Sequence, residues 1–127
     1  MGTTAPHSIV IVSADWQTRA LLAAQLGEMS EHTVTSAPGV NEALGLVKVV
    51  GVQPALLIVD AGPEMAARDV EQLMEGVPGA PLVLCASTLR RLEFEPLRER
   101  CAAYLTRPVS IGEIAQAAAR VLQSRRD

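Results

Sequence analysis

The chain is predicted to fold as a single α/β domain, a doubly wound parallel sheet of five strands with five helices, and three observations predict it. Five short apolar runs, several of them β-branched, alternate with five segments whose apolar residues recur at helical spacing. Proline and glycine punctuate the joins, at Pro38-Gly39, Gly51, Gly62-Pro63 and Gly76 to Gly79. The 127 residues are 49% hydrophobic, yet the aromatics are only Trp16, Phe94 and Tyr104. Such a core must be filled by Leu, Val, Ile and Ala, which suits helices packed on both faces of a sheet.

The elements read in order. Ile9-Val10-Ile11-Val12 is the first strand, and Leu21, Leu22, Gln25 and Leu26 mark a helix that Asp15 or Ser13 can cap. Glu28 to His32 give it a polar exit. Thr33-Val34-Thr35-Ser36 alternates weakly, as an edge strand does, and Pro38-Gly39 ends it. Val40, Ala43, Leu44 and Val47 share one helical face; Gly45 weakens that helix and Gly51 stops it. Ala55-Leu56-Leu57-Ile58-Val59, preceded by Pro54 and closed by Asp60, is a strand buried on both faces.

After Pro63, residues Val70, Leu73 and Met74 mark a third helix, ended by Gly76, Pro78 and Gly79. Pro81-Leu82-Val83-Leu84-Cys85 is a fourth strand with its proline at the first position, where it is tolerated. Leu89 to Arg100 reads as a solvated helix with a narrow apolar seam of Leu92, Phe94 and Leu97, kinked, shortened or restarted by Pro96. Ala102 to Leu105 is a short fifth strand. Ser110-Ile111-Gly112-Glu113 has capping-box spacing ahead of Ile114, Ala117, Ala118, Val121 and Leu122. Residues 1–8 are expected to be a tail, 9–123 the domain, and 124–127 a tail or the start of a linker.

Composition excludes several functions. A formal net charge of −3 offers no basic footprint for nucleic acid. Cys85 and Cys101 show neither metal-ligand spacing nor a disulfide framework and are expected as buried, reduced thiols. Met1 to Ser8 lacks the basic and apolar regions of a signal peptide, and no apolar run reaches the ~18 residues of a membrane span, so a cytoplasmic protein is expected. His7 and His32 lie in polar flanks as surface histidines, and Trp16 is expected as a half-buried packing residue, with covering of a crevice rim as the alternative. Gly62-Pro63 is no phosphate-cradling glycine pattern.

Chemistry in open parallel sheets gathers beyond the carboxyl ends of the strands, which is where Asp60 stands. Its bland role would be to cap the next turn. Three strand ends converge in such a sheet: Ser13-Ala14-Asp15, Asp60, and Thr106-Arg107-Pro108, with Ala86-Ser87-Thr88 from the fourth strand. With these residues the chain, from about Ile9 to Leu122, resembles the receiver domain of two-component response regulators. Pro54 to Asp60, Pro81 to Ser87, and Tyr104-Leu105-Thr106-Arg107-Pro108 carry the resemblance most strongly.

The resemblance implies a flavodoxin-like fold in which Asp60 is the phosphoacceptor position for a histidine kinase. It also implies departures. The two acids that help hold magnesium fall on Ser13 and Ala14, and Asp15, one step on, is expected to point away from an ion. The fourth-strand hydroxyl of the family is Ala86 here, with Ser87 facing the other side of its strand. The family lysine is Arg107, Tyr104 holds the switch-aromatic position, and Arg107-Pro108 is a candidate cis peptide. With Asp60 as the lone carboxylate for a hard octahedral cation, phosphorylation is expected to be slow or negligible.

Arg107 then has two readings. A planar guanidinium can clamp the Asp60 carboxylate and hold it engaged, or it points to solvent while Asp60 accepts backbone N–H groups. Tyr104 turns inward, packs plainly, or lies at a partner surface. The favoured expectation is a receiver-like domain that works as a phosphorylation-independent protein interaction module without a cofactor. The alternatives are a receiver phosphorylated on Asp60 with Mg2+, or a small-molecule-binding flavodoxin-like domain; enzymatic activity is not expected. The implied partners are a histidine kinase, an output domain or protein, or a second copy meeting across the fourth helix, fifth strand and fifth helix, roughly Leu89 to Leu122.

Overall fold

The computed structural model describes residues 7–126. Strand β1 (His7–Ser13) leads to α1 (Trp16–Met29), β2 (Thr33–Ala37) to α2 (Val40–Gly45), and β3 (Gln53–Asp60) to α3 (Ala67–Gly76). Then come β4 (Leu82–Ser87), a single α-helical turn α4 (Arg91–Phe94), β5 (Ala103–Arg107) and α5 (Ile111–Arg126). All strand pairs are parallel, in the order β2-β1-β3-β4-β5. The order reverses direction at β1, between β2 and β3, which opens a crevice at the carboxyl ends.

Strand alternation sorts the core into two layers. Ile9, Ile11, Leu56, Ile58, Val83 and Cys85 meet Leu22 and Leu26 of α1 and Ile114, Ala115 and Ala118 of α5. Val10, Val12, Leu57, Val59, Leu84 and Ala86 meet Val40, Val70, Leu73, Phe94 and Leu97 on the other face. Burying both faces is why the central strands read as continuous apolar runs.

Local chemistry sets the ends. Asp15 caps α1 by accepting from the Gln17 N–H, and Ser110 and Glu113 make a reciprocal capping box on α5. After Gly45 the second helix widens to a π-helical turn, Leu46–Val50, and ends at Gly51, whose φ of 91° is the left-handed conformation that glycine adopts without steric cost.

Several expectations are corrected. β1 starts at His7, so His7 and Ser8 belong to the sheet rather than to a tail; residues 1–6 lie outside the described residues. α5 continues through 124–126, and residue 127 lies outside the described residues. β4 starts at Leu82; Pro81 cannot donate to a ladder, but its carbonyl accepts from Leu57.

Leu89 to Arg100 is no continuous helix. 3₁₀ turns at Thr88–Arg90 and Glu95–Arg100 flank α4, the second with Pro96 at its start, and Leu92 is 84% exposed rather than part of an apolar seam. Trp16 is 68% exposed, because α1 packs through Leu22 and Leu26 and leaves its first turn outside. Cys85 is buried, whereas Cys101 is half-buried with its thiol donating to the Leu97 carbonyl. His7 is exposed; half-buried His32 shares a hydrogen bond with Ser30 through Nδ1. Among the described residues no helix is long and apolar enough to cross a membrane.

Candidate functional site

Register explains which side chains meet. Ser13 of β1 lies beside Asp60 of β3, and Asp60 lies beside Cys85 of β4. Ser13, Asp60 and Arg107 have the parity of Ile11, Ile58 and Leu105, so all three side chains leave the sheet on the α1 and α5 side. β3 and β5 are separated by β4, about 10 Å away at ordinary strand spacing, so only a long side chain joins them.

The structure brings those three residues together. The Ser13 hydroxyl donates to Asp60 Oδ2 at 2.7 Å, and Arg107 Nη2 forms an ion pair with Asp60 Oδ1. Ser13 and Asp60 are buried; the Arg107 side chain is 34% exposed. Both oxygens of the carboxylate are therefore engaged. Ser13 is itself fixed, since its hydroxyl accepts from the Asp15 N–H at 3.2 Å and its carbonyl accepts from Arg19 Nη1 at 2.6 Å. Burial pulls Arg107 below the usual guanidinium range and the nearby Asp15 carboxylate pulls the other way; the guanidinium stays charged at neutral pH.

Asp15 borders the crevice without joining the pair. Its oxygens accept from Gln17 N–H and from the Thr18 hydroxyl at 2.7 Å, and the Thr18 bond is the main reason its carboxyl titrates below the ordinary range. The Ala14 side chain offers no ligand atom. The crevice, 360 Å³, is walled by Ala14, Asp15, Asp60, Gly62, Arg107 and Val109. Magnesium seeks several hard oxygen donors in an octahedral shell. A neutral serine, an alanine, a carboxylate used as a helix cap and a carboxylate beside a guanidinium do not fit that ion. Among the described residues no three His, Cys, Asp or Glu side chains converge as a ligand set.

The other candidate positions lie apart. Ala86 and Tyr104 have the opposite parity and pack in the α2, α3 and α4 layer. Tyr104 is half-buried, its hydroxyl enclosed without a hydrogen-bond partner and the Arg98 guanidinium 5.5 Å over its ring. Ser87 faces away from Ala86 and caps the following turn by accepting from Leu89. The peptide between Arg107 and Pro108 is cis.

Sequence reasoning missed a second clasp. Arg90 Nη1 donates to the Gly62 carbonyl at 2.7 Å and Nη2 to the Met65 carbonyl at 2.6 Å, while Nε and Nη2 hold Glu93. Glu93 in turn accepts from the Ala67 N–H at the start of α3, and the Arg90 guanidinium lies 4.9 Å from the centre of the Phe94 ring. The loop after Asp60 is thus tied to the segment after β4. Thr88 adds a hydroxyl bond to the Arg107 carbonyl at 2.7 Å. The signal available in sequence was Arg90 three residues before Glu93, a spacing that reads first as an ordinary solvated helix pair.

No protein-family model matches the chain, and no curated protein gives a significant sequence match. Solved structures do match. A response regulator receiver domain protein from Clostridium thermocellum superposes with TM-score 0.73 at 14% identity, over 94% of this chain and 97% of that one. The receiver domain of NtrX from Brucella abortus gives 0.73 at 17%, over 91% and 98%. An adenylate cyclase from Rhodopirellula baltica gives 0.78 at 16%, over 94% and 89%. At such identities the likeness is one of fold: five parallel strands in one sheet with helices on both faces, the flavodoxin-like architecture of receiver domains.

Proposed function

We propose that this chain is a receiver-like signalling domain that has lost ordinary phosphoryl chemistry and works as a non-enzymatic protein interaction module. The observation that carries the reading is the engagement of both Asp60 oxygens, one by the Ser13 hydroxyl and one by the Arg107 guanidinium. Phosphoryl transfer to a carboxylate needs a free nucleophilic oxygen and positive charge on the transferring oxygens. In this crevice the available cation is spent on the acid itself, and the oxygens that would seat a divalent ion are replaced at Ser13 and Ala14.

Incubating the chain with a small acyl phosphate and magnesium, then weighing it intact, tests this directly. The expected result is an unchanged mass. An added phosphate that disappears in Asp60→Asn overturns the reading in favour of a working phosphoacceptor. The partner classes that fit are a histidine kinase, an output domain, or a second copy across α4, β5 and α5. If a second copy docks there, Arg98→Glu with Arg100→Glu lowers the mass seen by light scattering; an unchanged mass excludes that seam.

A further inference from the structure

The open edge of the sheet combines three features that the Asp60 crevice does not use. β5 is last in the strand order, so among the described residues no strand lies against one of its sides. Ala102 donates its N–H to Leu82 on the β4 side, and backbone groups alternate in direction along a strand, so Ala103 and Leu105 turn theirs to the open side. The side chains of the same two residues lean toward α5, where with Ala117 and Val121 they wall a groove of 440 Å³.

Arg120 and Arg125 stand at this groove, both exposed. Among the described residues neither has a carboxylate within ion-pair distance, and the Arg125 guanidinium reaches only the Gly79 carbonyl, at 3.4 Å. In a chain of net charge −3, two such cations beside an unpaired strand edge and an apolar groove define a complement.

We propose that this edge docks an extended acidic segment of a partner protein, which adds a strand beside β5. Its backbone pairs with Ala103 and Leu105, its apolar side chains alternate into the groove, and a carboxylate meets Arg120 or Arg125. Main-chain pairing supplies affinity without regard to sequence; the guanidinium groups select carboxylate. The site lies at the open side of the sheet and does not depend on the state of Asp60.

The probe is a capped peptide of alternating glutamate and valine, titrated into the whole chain and followed by amide hydrogen exchange and by calorimetry. The Ala103 and Leu105 amides exchange fast in the free chain and slow on peptide binding. Arg120→Glu combined with Arg125→Glu weakens binding by about tenfold or more, with an unchanged far-ultraviolet spectrum because both side chains are exposed. Methylating the peptide nitrogens that face β5 abolishes binding, and Asp60→Asn leaves it intact. Equal binding by the methylated peptide overturns the proposal, as does protection centred on Leu89 to Arg100. So does slow Ala103 and Leu105 exchange that rises with protein concentration without peptide, which marks a second copy as the occupant.

Discussion

Removing Arg107 isolates the contact on which the functional reading turns. Two unit charges about 4 Å apart attract by about 4 kcal/mol at an effective dielectric of about 20. Arg107 is 34% exposed, so solvent screening and the desolvation of both groups reduce the pairwise coupling to about 1–2 kcal/mol. Arg107→Ala also leaves Asp60, only 10% exposed in its side chain, with Ser13 as its one remaining side-chain partner among the described residues. The full loss is then about 2–3 kcal/mol. For a domain of this length that lowers Tm by roughly 10 °C. Asp60→Asn costs less, because the freed guanidinium swings into water while a freed buried carboxylate cannot. Urea unfolding of the parent, both single variants and the double variant gives the coupling directly. A coupling below about 0.3 kcal/mol, within the scatter of independent sites, refutes the engagement of Asp60.

The Arg90→Ala variant should fold yet show faster amide exchange at Met65 and Ala67, since it loses both carbonyl contacts and the Glu93 link to α3; unchanged exchange there would show that the loop needs no clasp. Glu93, held down chiefly by its Arg90 hydrogen bond, and Glu113, held down chiefly by the Ser110 N–H, titrate lower folded than unfolded. Their stabilisation is complete above the ordinary value of 4.5 and fades as pH falls through the lower folded values, so Glu113→Gln should flatten the acid limb of a melting curve. Burial pushes Cys85 up to about 12 and Cys101 to about 11, so neither thiol of the folded chain should react with iodoacetamide at pH 8, whereas both should in urea. Rapid labelling of either in buffer would contradict the packing of Cys85 or the Cys101 bond to Leu97.

The sheet was legible because both layers of its core are written in runs of Val, Ile and Leu, and because a capping box at Ser110 and a left-handed glycine at Gly51 mark two helix ends. Residues 89–100 were misread for a physical reason. The charged residues between Leu92, Phe94 and Leu97 suggest a solvated helix, but only Phe94 and Leu97 enter the core layer that holds Leu84 and Ala86, and Pro96, which has no N–H to donate, stands at the start of the 3₁₀ turn Glu95–Arg100. Periodicity sees neither the pull of the core nor an arginine that bonds carbonyls 25 and 28 residues away. Ser13 was legible as the absence of an acid. Its positive role, donating to the neighbouring strand's carboxylate, needed the register that sets it opposite Asp60.

Two guanidinium groups thus approach the end of β3 from opposite faces of the sheet. Arg107 holds Asp60 from the α5 side, and Arg90 holds Gly62 and Met65 from the α4 side. A switch needs two arrangements of this loop within a few kcal/mol of each other, and inverting a population from 1:99 to 99:1 takes about 5.5 kcal/mol. Charge-assisted bonds contribute about 1.5–3 kcal/mol each, less where solvent reaches them, so the two clasps together are of the size that removes the second arrangement. On the proposed reading the partner surface is therefore fixed by the fold. Arg90→Ala frees Gly62 and Met65 locally while Arg107 still holds Asp60, so the second arrangement of the whole β3 end becomes populated only when Arg107→Ala is added.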